Sequence, residues 1–338
     1  MRTLVLGVVI LVALGAVTSV VLLSSLGNER QVSPTLLKSI PLQGVAGRLD
    51  HMDADPTTHR LFLAAFGDGS ILVVNLQNGS VTKVGGFLAP HGILFLQKYQ
   101  HLYVTANNGS VYILSANTLS TVASIKLSSD TDNIRYDSTS DRILVAFGRG
   151  QNAGIGIIDP SSNTLISSVV LGAHPEAFQL DPAGLNVYAN LPTLGVIARV
   201  SLSNMSVTAH WPVSGYLDNF PLAYDSKDRL VIIGTWFPAT AIAYSPYTQL
   251  PVSHAAICSD ADDLYSIPGT SSVLVSCGQG LVEVLQVSPG TMSISGTIPT
   301  GQGARTSFLS PDLNEYFVAV PESGNEPARI LIFTVPSS

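Results

Sequence analysis

The 338-residue sequence predicts an all-β fold built as a ring of small four-stranded sheets, on three observations. Short apolar strands alternate with turns rich in Asp, Pro, Ser and Gly over nearly the whole length. One plan recurs seven times: a polar group, an alternating strand, a turn and a second β-rich strand, as in "LDHMDADPTTHRLFLAAF", "PHGILFLQKYQHLYVTAN" and "TDNIRYDSTSDRILVAFG". The last unit lacks an outer strand, while a spare strand precedes the first.

The chain opens with Leu4 to Leu23, twenty residues without a charge. At about 1.5 Å rise per residue such a helix matches the roughly 30 Å hydrocarbon core of a bilayer. Residues 1–24 are therefore expected to form a membrane anchor. That length exceeds the usual apolar region of a cleaved signal, although Ala13, Gly15 and Ala16 leave cleavage, and hence secretion, open. Arg2 and Arg30 flank the segment, and the short head most simply stays inside. Residues 25–33 read as a linker, and residues 34–338 as one folded domain outside the cytoplasm.

When the units are aligned on the second residue of "LDHM", equivalent positions fall at Asp50, His91, Asp132, Glu176, Phe220, Asp262 and Arg305, spaced by 41, 41, 44, 44, 42 and 43 residues. Four strands every 40–45 residues or so is the period of β-propeller blades, and seven units give a seven-bladed propeller. Third strands appear as "SILVVNL", "SVYILSA", "IGIIDP" and "LVEVLQV", and polar outer strands as "SVTKVGGF" and "STVASIKL". The last unit ends after "ARILIFTV", so "TLLKSIPL" (Thr35 to Leu42) is expected to supply its outer strand and close the ring, removing edges that invite aggregation.

The tetrads in Tyr103-Val104-Thr105-Ala106-Asn107 and Val187-Tyr188-Ala189-Asn190 resemble the motif that names the YVTN β-propeller repeat family. The phrases "RLDHMDAD", "AHPEAFQLD", "NFPLAYD" and "GARTSFLSP" resemble its YncE-like branch, over about residues 34–338. The tetrad is degenerate in most blades. The resemblance implies an exported or surface-attached propeller. It leaves the chemistry open, since propellers of this group include binding proteins, lactonase-like enzymes, lyase relatives and subunits of redox enzymes.

In a propeller the loops entering the first strands converge on one mouth of the central channel. The predicted ring there is Asp50, His51, His91, Asp132, Asn133, His174, Glu176, Asn219, Asp262, Asp263, Arg305 and Thr306. Its five carboxylates and one arginine sum to −4 with the histidines neutral. Two like charges about 6 Å apart repel by roughly 3 kcal/mol at an effective dielectric near 20. Protonated His51, His91 or His174, proton sharing between carboxyls, or a bound cation would each relieve this. Oxygen ligands suit Ca²⁺ or Mg²⁺, and added imidazole admits Mn²⁺ or Zn²⁺. Asp50, His91, Glu176 and Asp262 are the expected metal ligands, although one ligand per blade matches no linear motif, and mouth polar groups are commonly just solvated.

The expected function is binding of a small polar or cationic ligand at this mouth, with Arg305 and Asn219 orienting it and Tyr216, Phe220 and Tyr265 as walls or as core. A metal-assisted lactonase or lyase is the alternative, with His or Glu176 as base; a protein-interaction scaffold is a second alternative. The net charge of −7 and the absence of basic runs exclude a nucleic-acid partner. No His-Glu-x-x-His, Gly-x-Ser-x-Gly or Cys-x-x-Cys occurs, and "GRGQNAGIGIID" precedes no helix, so it is no phosphate loop. His59, His101, His210 and His254 fall away from the mouth. Cys258 and Cys277 flank two strands, where a disulfide and two buried thiols both remain open. Asn78 and Asn108 sit in Asn-Gly turns, and Asn204 is a third glycan acceptor match.

Overall fold

A computed structural model describes residues 33–336. The expected anchor and nearly all of the linker lie outside the described residues. Among the described residues no helix is long and apolar enough to cross a membrane.

Seven four-stranded antiparallel sheets make up the domain, six of them with their strands in sequence order. Blade 1 is Met52–Asp55, Arg60–Ala65, Ser70–Asn75 and Val81–Gly85. Blade 7 is Ser307–Ser310, Glu315–Val320 and Arg329–Thr334, completed on its outer edge by Thr35–Pro41, which pairs antiparallel with Arg329–Thr334. The two ends of the domain therefore share one sheet, as the sequence predicts. Ile40 and Leu42 are buried at this seam with Ala328, Ile330 and Ile332.

Burial follows strand position. Second strands such as Arg60–Ala65, His101–Ala106, Arg142–Phe147 and Glu315–Val320 are buried at every residue after the first, because sheets cover them on both faces. Outer strands such as Val81–Gly85 are largely exposed. His210 and His254 lie on outer strands, and His101 opens a second strand.

The turns from first to second strands repeat one device. The Asp55, Asp137 and Asp225 carboxylates accept backbone N–H groups two residues on, at 3.0, 2.9 and 3.1 Å. These are Asx turns, for which Asp is favoured. His59, Gln100, Asp141 and Arg229 each take a positive φ just before the second strand. Asn78-Gly79 and Asn108-Gly109 also form turns, with both glycines left-handed. Cys258 and Cys277 form a disulfide, with Cα atoms 5.9 Å apart.

A polar side chain on the second strand often ties its blade to the next. Thr105 donates to the Asp132 carbonyl (2.6 Å), Asn190 to the Phe220 carbonyl (3.1 Å) and Ser276 to the Arg305 carbonyl (2.6 Å). All three acceptors belong to the set of equivalent positions from which the blades are counted.

Candidate functional site

Four of these equivalent positions sit on bulges. The pairing of first with second strands slips by one residue between Pro90 and Ile93, Thr131 and Ile134, Asn219 and Leu222, and Ala261 and Asp263. A bulge re-aims the side chain at the slip and is enriched next to binding sites. Here it turns His91, Asp132, Phe220 and Asp262 toward one end of the channel. A close backbone approach accompanies it in blade 2, where a Cβ at Gly92 would lie 2.5 Å from the Asp132 carbonyl oxygen.

The resulting cavity of about 360 Å³ is lined by His91, Asp132, His174, Glu176, Asp262 and Arg305 from the predicted ring. It is also lined by residues outside that ring: Arg48, Phe66, Asn107, Asp130, Arg149 and Trp236, together with Phe220. Their signal is topological. Antiparallel pairing returns the end of each second strand to the end where the first strand began, so Phe66, Asn107, Arg149 and Trp236 meet the same mouth. Asp130 precedes Asp132 by two residues, the offset His174 has from Glu176.

The remaining ring members lie deeper. Asp50 is fully buried; its Oδ2 accepts from Arg48 (2.8 Å) and lies 3.1 Å from His91 Nδ1. His51 fills the channel waist, with Nε2 3.8 Å from Asp50 and 3.9 Å from Asp132, and Nδ1 3.8 Å from Asp263. Asn133 donates to the Glu176 carbonyl (2.8 Å), Asp263 accepts the Ser307 N–H (2.7 Å), and Thr306 donates to the Leu49 carbonyl (3.3 Å). Asn219 is buried and donates to Asn190 and to the Val196 carbonyl, so its amide ties blades together. Of the proposed walls, Phe220 packs on Trp236 with ring centroids 4.3 Å apart and faces the cavity. Tyr216 packs against the core, and Tyr265 lines the opposite end of the channel.

The expected metal set is not the one that converges. Glu176 gathers with Asp132 and His174, one donor atom from each lying within 4.8 Å of the others. Asp50 is engaged by Arg48 and His91, and Asp262 by Arg305 at 3.2 Å. His174 Nδ1 donates to the Gly148 carbonyl at 2.6 Å, which directs Nε2 to Asp132, 3.5 Å away. A backbone carbonyl on the far ring nitrogen is the usual support of a metal-binding histidine. His91 Nε2, on a side chain more than nine-tenths buried, lines the cavity with no hydrogen-bond partner among the described residues, Asp130 standing 3.9 Å away.

The charge expected from sequence is relieved in several ways. Arg48, Arg149 and Asp130 move the formal sum from −4 to −3 with the histidines neutral. Burial would lower the His91 and His174 pKa values, but Asp132 outweighs it; both are raised, His174 to about 9. With both protonated the sum is −1. Burial alone would raise the Asp132 carboxyl, yet His91, His174 and His51 hold it well below the usual range. Burial, reinforced by Asp132, pushes Glu176 up to about 7, and burial also raises Asp262 against the pull of Arg305 and Arg48.

No protein-family model and no curated protein sequence matches the chain. Among solved structures, a chain of the mitotic checkpoint complex superposes with a TM-score of 0.76 at 14% identity, covering 100% of this chain and 99% of that one. A chain of Kuenenia stuttgartiensis hydrazine synthase does so with a TM-score of 0.71 at 18% identity, covering 88% and 99%. At such identities the likeness establishes the propeller fold alone.

Proposed function

We propose that this propeller binds a small polar, anionic ligand at the mouth lined by His91, Asp132, His174 and Glu176, together with one divalent cation held by Asp132, His174 and Glu176. The convergence of those three donors carries the reading. One imidazole with two carboxylates favours Mn²⁺ or Zn²⁺ over Ca²⁺ or Mg²⁺. Arg149, Arg305 and the Nε2 of His91 supply donors for an anionic group, and the Phe220–Trp236 pair supplies an apolar wall. Arg305 is itself held by Asp260 (2.9 Å) and Asp262, which fixes its orientation.

Membership of the YVTN, YncE-like propellers belongs to the same proposal, supported by the tetrads at Tyr103 and Tyr188 and by seven blades. So does attachment to a membrane through Leu4 to Leu23 with the propeller outside the cytoplasm, a location that suits a disulfide.

A second reading, a metal-assisted lactonase or lyase, is favoured by His91. Its Nδ1 is oriented by Asp50 while its Nε2 faces the cavity, the arrangement a proton-transferring histidine needs. Calorimetric titration of ligands with and without cation tests binding, and a lactone panel under the same conditions tests turnover. Turnover lost in His91→Gln but retained in Phe220→Leu selects the enzyme; cation-dependent binding without turnover selects the binding protein.

A further inference from the structure

The opposite end of the channel holds a second, larger cavity of about 460 Å³ to which first strands of all seven blades contribute. Its lining follows from the repeat. Counting three residues on from Asp50, His91, Asp132, Glu176, Asp262 and Arg305 gives Asp53, Leu94, Arg135, Gln179, Tyr265 and Phe308, and all six face this cavity. Tyr265 stands edge-on to Phe308 at 6.4 Å, and with Leu94 the two form an apolar arc in that ring.

Its polar groups are unevenly engaged. Tyr265 donates to the Ser307 carbonyl, and Asp53 accepts the Phe95 and Ala54 N–H groups at 2.7 and 2.8 Å. Arg135 is different. Its guanidinium donates only to the carbonyl of the adjacent Ile134 and lies 5.7 Å from the Phe178 ring, with no carboxylate at ion-pair distance among the described residues. Arg48, Arg60, Arg142, Arg149 and Arg305 have such a partner, and Arg199, Arg229 and Arg329, which lack one, donate instead to Asn186, to Tyr247 and to the Thr300 carbonyl, none of them lining this cavity. The Gln179 amide beside it also makes no hydrogen bond among the described residues. A guanidinium presents a planar fork matched to a carboxylate, and a half-buried one lacking that partner can accept it from a ligand.

We infer that this end of the channel is a second binding site, separate from the cation-bearing mouth, for a small monocarboxylate with an apolar body: the carboxylate on Arg135 and Gln179, the body against Leu94, Tyr265 and Phe308. The volume is in the range of small-molecule sites, and the lining mixes that apolar arc with polar groups able to fix a ligand's orientation. Asp53 opposes the anion least when protonated, and burial raises its pKa to about 7. His51, Tyr136 and Tyr224 also line this end, and Asp263, which faces His51 at 3.8 Å, and Asp53 both lie within electrostatic reach of Arg135 although neither is at ion-pair distance.

The test is calorimetric titration of the full-length protein with benzoate, indole-3-acetate and octanoate, each against its neutral amide. The expected result is saturable binding of at least one acid, with the amide and Arg135→Gln each weakening it about 10- to 100-fold, the usual range for losing a charged hydrogen-bonding partner. Arg229→Gln, an exposed arginine that hydrogen-bonds Tyr247, should leave that affinity unchanged. If Arg135→Gln fails to melt cooperatively, Arg135→Lys and Gln179→Leu replace it, each expected to weaken the acid but not the amide. Equal affinity for acid and amide, equal affinity in the Arg135 variants, or no binding of any of the three acids would overturn the assignment.

Discussion

The carboxylate of Asp50 and the imidazole of His91, on adjacent blades and 41 residues apart in sequence, meet at 3.1 Å in the buried wall of the channel. Arg48 completes the contact from above at 2.8 Å. Asp50→Asn would leave two cationic groups facing a neutral amide. Removing one partner of a buried pair costs roughly 3–5 kcal/mol, and the exposure of Arg48 places this case toward the low end. Urea denaturation of Asp50→Asn, His91→Gln and the double variant should show a coupling energy of about 1 kcal/mol or more. Additive losses would mean that the two side chains are merely neighbours.

The pH dependence of stability has a definite sign. Asp53 and Asp263, raised by burial to about 7 and about 6, and Glu176, raised to about 7, hold protons in the folded state that the unfolded chain has released. Stability therefore falls as pH rises from about 4 to about 7. His174, raised to about 9, contributes stability that is complete below 6.5 and lost as pH climbs through about 9. Asp50 and Asp132, held low by their cationic neighbours, contribute above about 4 and lose that contribution as pH falls. Melting temperature in metal-free buffer should peak near about pH 4–5, on the acid side of most proteins. Asp53→Asn should flatten the decline toward neutrality. A curve that rises from pH 5 to pH 8 would be inconsistent with these environments.

Cys258 and Cys277 are 19 residues apart, and a bridge over such a loop restricts the unfolded chain by about 3 kcal/mol. Thermal melts of the oxidised protein, the reduced protein and Cys258→Ser/Cys277→Ser should place the last two together and several degrees below the first. Equal melting temperatures would show that blade 6 is rigid without the bridge.

Gly92 of the second blade lies directly against the backbone of the third. Gly92→Ala should displace the Asp132 carbonyl, which a Cβ would meet at 2.5 Å, and with it one proposed metal donor. Cation affinity should drop about 10-fold, as when outer-shell support of a metal ligand is lost. Retained affinity would mean that the bulge is held by Thr105 alone.

Blade count, strand order and ring closure were legible in the sequence, because a repeat of about 42 residues fixes which positions are equivalent; of the twelve ring positions read from it, six line the mouth cavity and the others lie deeper. The partners within the mouth were not legible. Asn219 precedes its reference position where His51 and Asn133 follow theirs, so it starts the bulge as Thr131 does, and its amide donates to Asn190. Trp236 and Arg149 come from the ends of second strands, which carry no polar signature. Which carboxylates share a cation depends on distances across blades, and one-per-blade spacing treats Asp50, Asp132 and Asp262 alike although Arg48 and Arg305 neutralise the first and last. The lower ring was present in the same register, three residues on, but Leu94, Tyr265 and Phe308 read as ordinary core.

The most direct test of the proposed cation site at the mouth is titration of metal-free full-length protein with Mn²⁺ and Zn²⁺ at pH 8, comparing wild type with Glu176→Gln and His174→Ala. The account predicts one equivalent bound, weakened at least about 10-fold in either variant while both still melt cooperatively. Absence of binding in the wild type, or unchanged affinity in both folded variants, would contradict it.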